Sequence, residues 1–358
     1  MHHNNYLLLS LGLTLTVAIS SCTKSNDSIV YTPEILDKAD VDSISLSLIE
    51  TEFDFGFPET IDFVSDSLMI VFDTNINDKI AHIIDINGNL ITSFGNKGRG
   101  EGEIINASDI SLNEKRDSVF IYDYVIQRIL GYNLDNLING RESAPSVLQI
   151  DINDIPGQEY RFMHVERGSG NTFFCFSSAE NRIVAINDAA TKSIYTDYPD
   201  VDPDLETNRS IWNYSGSRNS ISPDGSKLVV ATYIGGLFET FDIKGSELSS
   251  RAVRGFFKPD YVYAKGAIPK CVTFNPENIV TGFRTIYASD DHFITVVDGH
   301  ESERMNEILT FDYDGNLVSR KATGDGRLNI IAENPKGEIY AIAYNNEFTQ
   351  MNLYRIED

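Results

Sequence analysis

One pattern recurs from end to end of this chain and limits what it can fold into. A polar turn feeds a short apolar strand in VSDSLMIVFD (64–73), KRDSVFIYDY (115–124), GSGNTFFCFSS (168–178), SPDGSKLVVATY (222–233), SDDHFITVVDG (289–299) and NPKGEIYAIAY (334–344). The turn markers Asp66, Asp117, Gly170, Gly225, Asp291 and Gly337 stand about 50 residues apart. A second turn type falls once between each successive pair, in IIDINGNL, GYNLDNL, AINDAATK, FETFDIKGSEL and LTFDYDGNL. Runs rich in Val, Ile, Phe and Tyr bounded by Asp, Asn and Gly follow strand-and-turn rules, and no sustained helical period competes with them.

Six such units, each of four short antiparallel strands, predict an all-β, six-bladed β-propeller. The ends support the count. The last unit supplies three strands, RLNIIAEN, GEIYAIAY and TQMNLYRIED, and then the chain stops. Ahead of the first unit, Asp42 to Ile49 alternates polar and apolar residues like a half-buried strand without a partner in its own repeat. If this N-terminal strand completes the last blade, the ring closes and no sheet edge is left open.

The stretch FGNKGRGEGE (94–103) resembles a phosphate cradle in composition. A cradle needs a helix start after its glycines. Here the glycines lead instead into EIINASDISL, an expected inner strand, so they read as a crossover between blades, with Arg99 exposed on that face as a contact candidate.

Composition narrows the function classes. The 358 residues are 41% hydrophobic, enough for a large core, and carry a formal net charge of −24. A polyanionic nucleic acid would be repelled by such a surface, so nucleic-acid binding is excluded. The residues 6–19 form an apolar run too short to span a bilayer, with Ser20-Ser21-Cys22 directly after it. Three segments are expected: a signal peptide over 1–21, a polar tether over 22–40, and the propeller over 41–358. Cys175 and Cys271 lie in apolar strand-like runs and read as small buried hydrophobes.

Three resemblances attach to these residues. Ile19-Ser20-Ser21-Cys22 resembles the lipobox of bacterial lipoproteins, which implies lipidation at Cys22. Phe94-Gly95-x-x-Gly98-x-Gly100-x-Gly102-Glu103, with Ile121-Tyr122-Asp123 and Arg128-Ile129 after it, resembles the repeat of NHL-type propellers. Ser222-Pro223-Asp224-Gly225 resembles that of TolB-type propellers. Together they are similar to the TolB-like six-bladed lipoproteins of Bacteroidetes. That implies a monomer in the bacterial cell envelope, outer membrane included, held to the membrane only through its lipid.

Aligning the six units places Asp62, Asp109, His164, Ser220, Thr285 and Asn329 at one position, just before the first apolar residue of each inner strand. Such a ring suits a water-filled channel and equally a ligand site. Asp62 and Asp109 are its candidates for a metal, with calcium the ion whose oxygen preference fits. His164 reads as a structural hydrogen-bonder or as a general base. Asp73, Asp123 and Asp298 end second strands and read as acceptors in the hairpin turns. The acidic loop Asp197 to Asp204 reads as a solvated connector.

An insertion between units four and five contains RGFFKPDYVYAKGAIPK, whose Phe256, Phe257, Tyr261 and Tyr263 are either a partner surface or packing onto the blade. No G-x-S-x-G, H-E-x-x-H or Walker lysine motif is present, and no catalytic residue is assigned. The expected function is a non-catalytic binding module for an envelope protein or glycan. The alternatives are a calcium-assisted hydrolase or lyase at the channel, or a structural subunit of an envelope complex.

Overall fold

The computed structural model describes residues 29–358 apart from 39, 75–77, 142, 159, 178–179, 188–189, 200–216, 259, 264–271, 275–278, 300–303, 325 and 346–348. Cys22, Cys271 and most of the acidic loop therefore lie outside the described residues, as does the side chain of Tyr263.

Each repeat folds as a four-stranded antiparallel sheet, with its strands in chain order from the channel outward. Blade 1 comprises Pro58–Ser65, Leu68–Asp73, Lys79–Asp85 and Leu90–Asn96. Blade 2 comprises Ala107–Leu112, Ser118–Asp123, Arg128–Asn133 and Ser146–Gln149. Blade 3 comprises His164–Arg167, Thr172–Phe176, Ile183–Asn187 and Ala190–Tyr195. Blade 4 comprises Ser217–Ile221, Lys227–Thr232, Leu237–Lys244 and Glu247–Gly255. An extra hairpin, Tyr261–Tyr263 with Val272–Phe274, forms the insertion after it. Blade 5 comprises Thr281–Ala288, His292–Gly299, Glu307–Asp312 and Leu317–Thr323. Blade 6 has Arg327–Glu333, Ile339–Tyr344 and Met351–Glu357.

The fourth strand of blade 6 is Val41–Ile49, as the alternating pattern predicts. Ser45 to Ile49 pair antiparallel with Glu357 to Leu353. Its first half goes further than expected, because Val41 to Ile44 also pair parallel with Arg320 to Thr323 of blade 5. One strand thus fastens two blades. The inner strands close the ring, each contacting the next and the sixth the first.

The second strands are the most apolar because they are covered by blades on both sides. Leu68–Asp73 and Thr172–Phe176 are buried almost throughout, and the hydrophobic clusters run between neighbouring blades. Cys175 sits fully buried in one of them. The acceptor aspartates extend the expected hairpin role, which Asp123 keeps toward Val125 N. Asp73 accepts from Gly56 N and Phe57 N at 2.8 Å each, and Asp123 accepts from Ile105 N at 2.7 Å and Val125 N at 3.1 Å. Most of these donors lie in the segment leading into the same blade's inner strand, so each Asp fixes where that strand enters the channel.

In FGNKGRGEGE the crossover itself explains the glycines. The Glu103 carboxylate folds back to accept from Gly100 N at 2.7 Å. A Cβ on Gly98 would stand 2.0 Å from that carboxylate. The turn holds its own anion, the Arg128 guanidinium of blade 2 donates to its Glu103 carbonyl, and Arg99 stays exposed on it.

Candidate functional site

The inner strands enclose a polar cavity of about 280 Å³ along the axis, and all six ring residues predicted from the repeat line it. They do not form one level. Register shifts between Pro58 and Thr60, Ala107 and Asp109, Phe283 and Thr285, and Leu328 and Ile330 leave Glu59, Ser108, Arg284 and Asn329 without cross-strand partners. Each bulge adds one residue to the channel wall and breaks the two-residue alternation. Asn329 is such an added residue, whereas Asp109 and Thr285 come directly after one, and Asp62 stands three positions beyond Glu59. Blades 3 and 4 keep an unbroken inner register.

The wall holds more charge than the ring alone. Two residues along the strand from predicted positions lie Glu166, Arg218 and Tyr287, on the same face by strand geometry. Bulges bring in Glu59 and Arg284, and the turn after the inner strand of blade 2 brings in Arg116.

On the acidic side, Asp62 accepts from Arg116 Nη1 and from the Tyr287 hydroxyl, each at 3.4 Å. Burial pushes its carboxyl up, and Arg116 opposes that. Asp109 Oδ1 lies 3.0 Å from His164 Nδ1, while its Oδ2 accepts from Val165 N at 3.1 Å and Ser108 Oγ at 2.8 Å. Burial works against the His164 imidazolium, yet the Asp109 carboxylate outweighs it and raises the histidine above its ordinary value. Glu166 is held well above the carboxyl range by burial, then by Asp109 and Asp62, and so favours its neutral form.

The basic side belongs to blades 4 and 5. Arg218 donates from Nε to the Arg284 carbonyl at 3.1 Å, and its guanidinium lies 4.9 Å over the Tyr233 ring. Arg284 Nη1 donates to the Tyr233 hydroxyl at 3.5 Å, while its buried Nε has no partner. Burial lowers the Arg218 pKa. Among the described residues neither arginine forms an ion pair. Tyr233 is set in place by a close backbone approach: its carbonyl accepts from Gly282 N at 2.7 Å, and Gly235 N donates to Val280 O at 2.9 Å. Gly282 is required there, since a Cβ would lie 1.5 Å from the Gly235 oxygen.

Ser220 has a joining role, its Oγ accepting from Ala288 N at 3.0 Å and tying blade 4 to blade 5. Thr285 offers its carbonyl to Thr295 Oγ1 at 2.6 Å. Asn219 brings a buried Oδ1 without a partner to the same wall. The described residues contain no group of three or more His, Cys, Asp or Glu side chains that could hold a metal ion. Asp62 and Asp109, the calcium candidates, lie against a guanidinium and an imidazole.

The partner-surface reading of Phe256 and Phe257 is corrected by burial, at 1% and 8% exposure. Phe256 packs against Phe238, Phe283 and Phe311 with ring centroids 5.7–6.2 Å apart. Aromatic rings at the root of the insertion complete the core between blades 4 and 5. Tyr261 is half-buried against blades 3 and 4.

Solved structures share this architecture at low identity. The chain is similar to a Bacteroides fragilis protein classed as exported, with TM-score 0.58 and 10% identity over 88% of this chain and 94% of that one. A calcium-binding regucalcin from Agrobacterium tumefaciens aligns with TM-score 0.51 and 10% identity over 89% and 97%. A luciferin-regenerating enzyme aligns with TM-score 0.51 and 13% identity over 88% and 95%. At such identities they establish the fold alone. No curated protein sequence matches the chain. The family described as "6-bladed beta-propeller" matches residues 21–229, more than half the chain, and the protein belongs to that family.

Proposed function

We propose that this chain is a lipid-anchored, extracytoplasmic propeller of the bacterial envelope, TolB-like in its repeats, that acts as a non-catalytic binding module with its ligand in the central channel. The observation that carries this reading is the pair Arg218 and Arg284. Both guanidiniums line the cavity, and neither has a carboxylate partner among the described residues. Lining that served only to hold water has no need of two desolvated cations side by side. A bound anionic group would supply what they lack. Export is supported by the lipobox-like Cys22 and by the likeness to an exported Bacteroides protein. The partner is an envelope glycan or protein segment that reaches the channel.

Native mass spectrometry of the protein isolated from its own membranes tests the binding reading. A ligand retained by the parent and lost from Arg218→Met/Arg284→Met supports it, whereas equal retention, or none in either, sinks it. Loss of the lipid mass from Cys22→Ser tests the anchor.

A second reading rests on a different observation. His164 bonded to Asp109, beside a Glu166 carboxyl held neutral, offers a base and an acid across one cavity. Turnover of envelope glycans abolished by His164→Ala would favour a hydrolase or lyase, and no turnover would leave binding alone.

A further inference from the structure

The distribution of charge around the channel narrows the ligand. Six inner strands in a closed ring place blade 1 across from blade 4, and blade 2 across from blade 5. Glu59 of blade 1 therefore faces Arg218 of blade 4, and Asp109 of blade 2 faces Arg284 of blade 5. Burial raises the Glu59 carboxyl and Arg218 is the cation that most opposes this, yet the two form no ion pair.

Two charge pairs on the wall satisfy themselves, Asp62 with Arg116 and Asp109 with His164. Glu166 adds little charge in its neutral form. What remains unmatched among the described lining residues is the Glu59 carboxylate on blade 1, with Glu114 on the turn after the inner strand of blade 2, and the two guanidiniums of Arg218 and Arg284 on blades 4 and 5. The Glu59 side chain makes no hydrogen bond among the described residues, and the Arg284 Nε and Asn219 Oδ1 atoms are buried without partners.

We infer that the channel takes a small zwitterion lying across the axis, its carboxylate on Arg218 and Arg284 and its ammonium on Glu59. The inference rests on the binding reading above and adds the ligand's chemistry to it. A plain anion would leave the Glu59 carboxylate facing it without compensation, and like charge across a low-dielectric cavity repels. A plain cation would sit against two unshielded guanidiniums. Only a ligand carrying both signs matches both walls. Free amino acids and the ends of short peptides carry this chemistry, as do amino-sugar acids.

Calorimetric titration of the full chain in detergent with glycine, diglycine, triglycine and tetraglycine tests the inference. N-acetylated and C-amidated forms of each, muramic acid and glucuronate complete the set. At least one zwitterion is expected to bind, and removing either of its charges should weaken it by about tenfold or more. Muramic acid binding with the glycine series silent identifies an amino-sugar acid source, and the reverse identifies a peptide source. Both outcomes support a zwitterion. Glu59→Gln, a near-isosteric change that removes the charge, should erase the penalty for N-acetylation while keeping that for amidation. Equal binding of acetylated and free forms, or binding of glucuronate alone, overturns the zwitterion while leaving the channel a binding site. Silence across the whole set overturns the inference as well.

Discussion

Breaking the ion pair between Arg182 and Glu239 should cost this propeller a large share of its stability. Arg182 precedes the third strand of blade 3 and Glu239 lies in the third strand of blade 4, with Nη1 and Oε2 2.5 Å apart. Their side chains are 4% and 2% exposed, so water cannot replace either partner. Glu239→Ala removes the carboxylate from a guanidinium buried between blades, which keeps the Asp197 carbonyl at 3.0 Å and the rings of Tyr198, Phe241 and Tyr195 at 5.2–6.0 Å. Removing one member of such a pair costs about 3–5 kcal/mol, because the remaining charge is uncompensated. Against a total of about 5–15 kcal/mol, that is about a fifth of the margin or more. With a urea slope of about 3 kcal/mol/M for a large domain, the midpoint should fall by about 1–1.7 M. The control is Arg182→Met/Glu239→Leu, which removes both charges and fills the space. It should recover most of the loss and differ from the parent by about 1–2 kcal/mol, the share due to the other contacts of the two side chains, among them the Asp197 carbonyl, the Tyr198 ring and the Ser250 hydroxyl. A single variant losing under about 1 kcal/mol, or a double variant no better than the single, would refute the argument that desolvation makes this pair matter.

Three further outcomes are expected. His292, bonded to Glu333 at 2.8 Å and Asp291 at 2.7 Å, is pushed up to about 9 by the Glu333 hydrogen bond despite burial. A raised histidine stabilises fully below its unfolded value of about 6.5, so urea midpoints should fall as pH rises through about 9, and His292→Gln should flatten that slope. In Asp109→Asn the opposing burial is left to dominate at His164, so its NMR titration should move from above to below the ordinary histidine value. Gly282→Ala forces its neighbouring backbone apart, should cost about 3 kcal/mol in denaturant melts, and should weaken channel ligands by moving Tyr233.

The fold was legible because its punctuation repeats. Asp, Asn and Gly at fixed offsets mark hairpins whatever packs around them, and the unpartnered alternation at 42–49 marked the closing strand. The channel wall was legible only in part. Glu166, Arg218 and Tyr287 stand two residues from positions the repeat alignment picked out, so strand alternation could have found them. Glu59 and Arg284 could not be found that way, since a bulge inserts them where alternation points inward to the blade, and neither is the glycine that commonly marks one. Phe256 and Phe257 misled for another reason. An apolar pair inside a basic, aromatic insertion looks the same in sequence whether it is presented or buried, and only the neighbouring Phe238, Phe283 and Phe311 decide.

The strand Val41–Ile49 also sets an order of events. A chain emerging N-terminus first displays this strand ahead of all six blades, whereas its partner Met351–Glu357 is made after every other strand of the ring. The loop between them comprises nearly the whole propeller, so closing it is the slowest contact to form and the one most dependent on everything before it. Until then blade 6 lacks its outer strand, although Val41 to Ile44 can already pair with Arg320 to Thr323 of blade 5. Every residue of the channel wall is thus made before the strand that locks the ring, and a propeller cut short at that point would hold its site without its clasp.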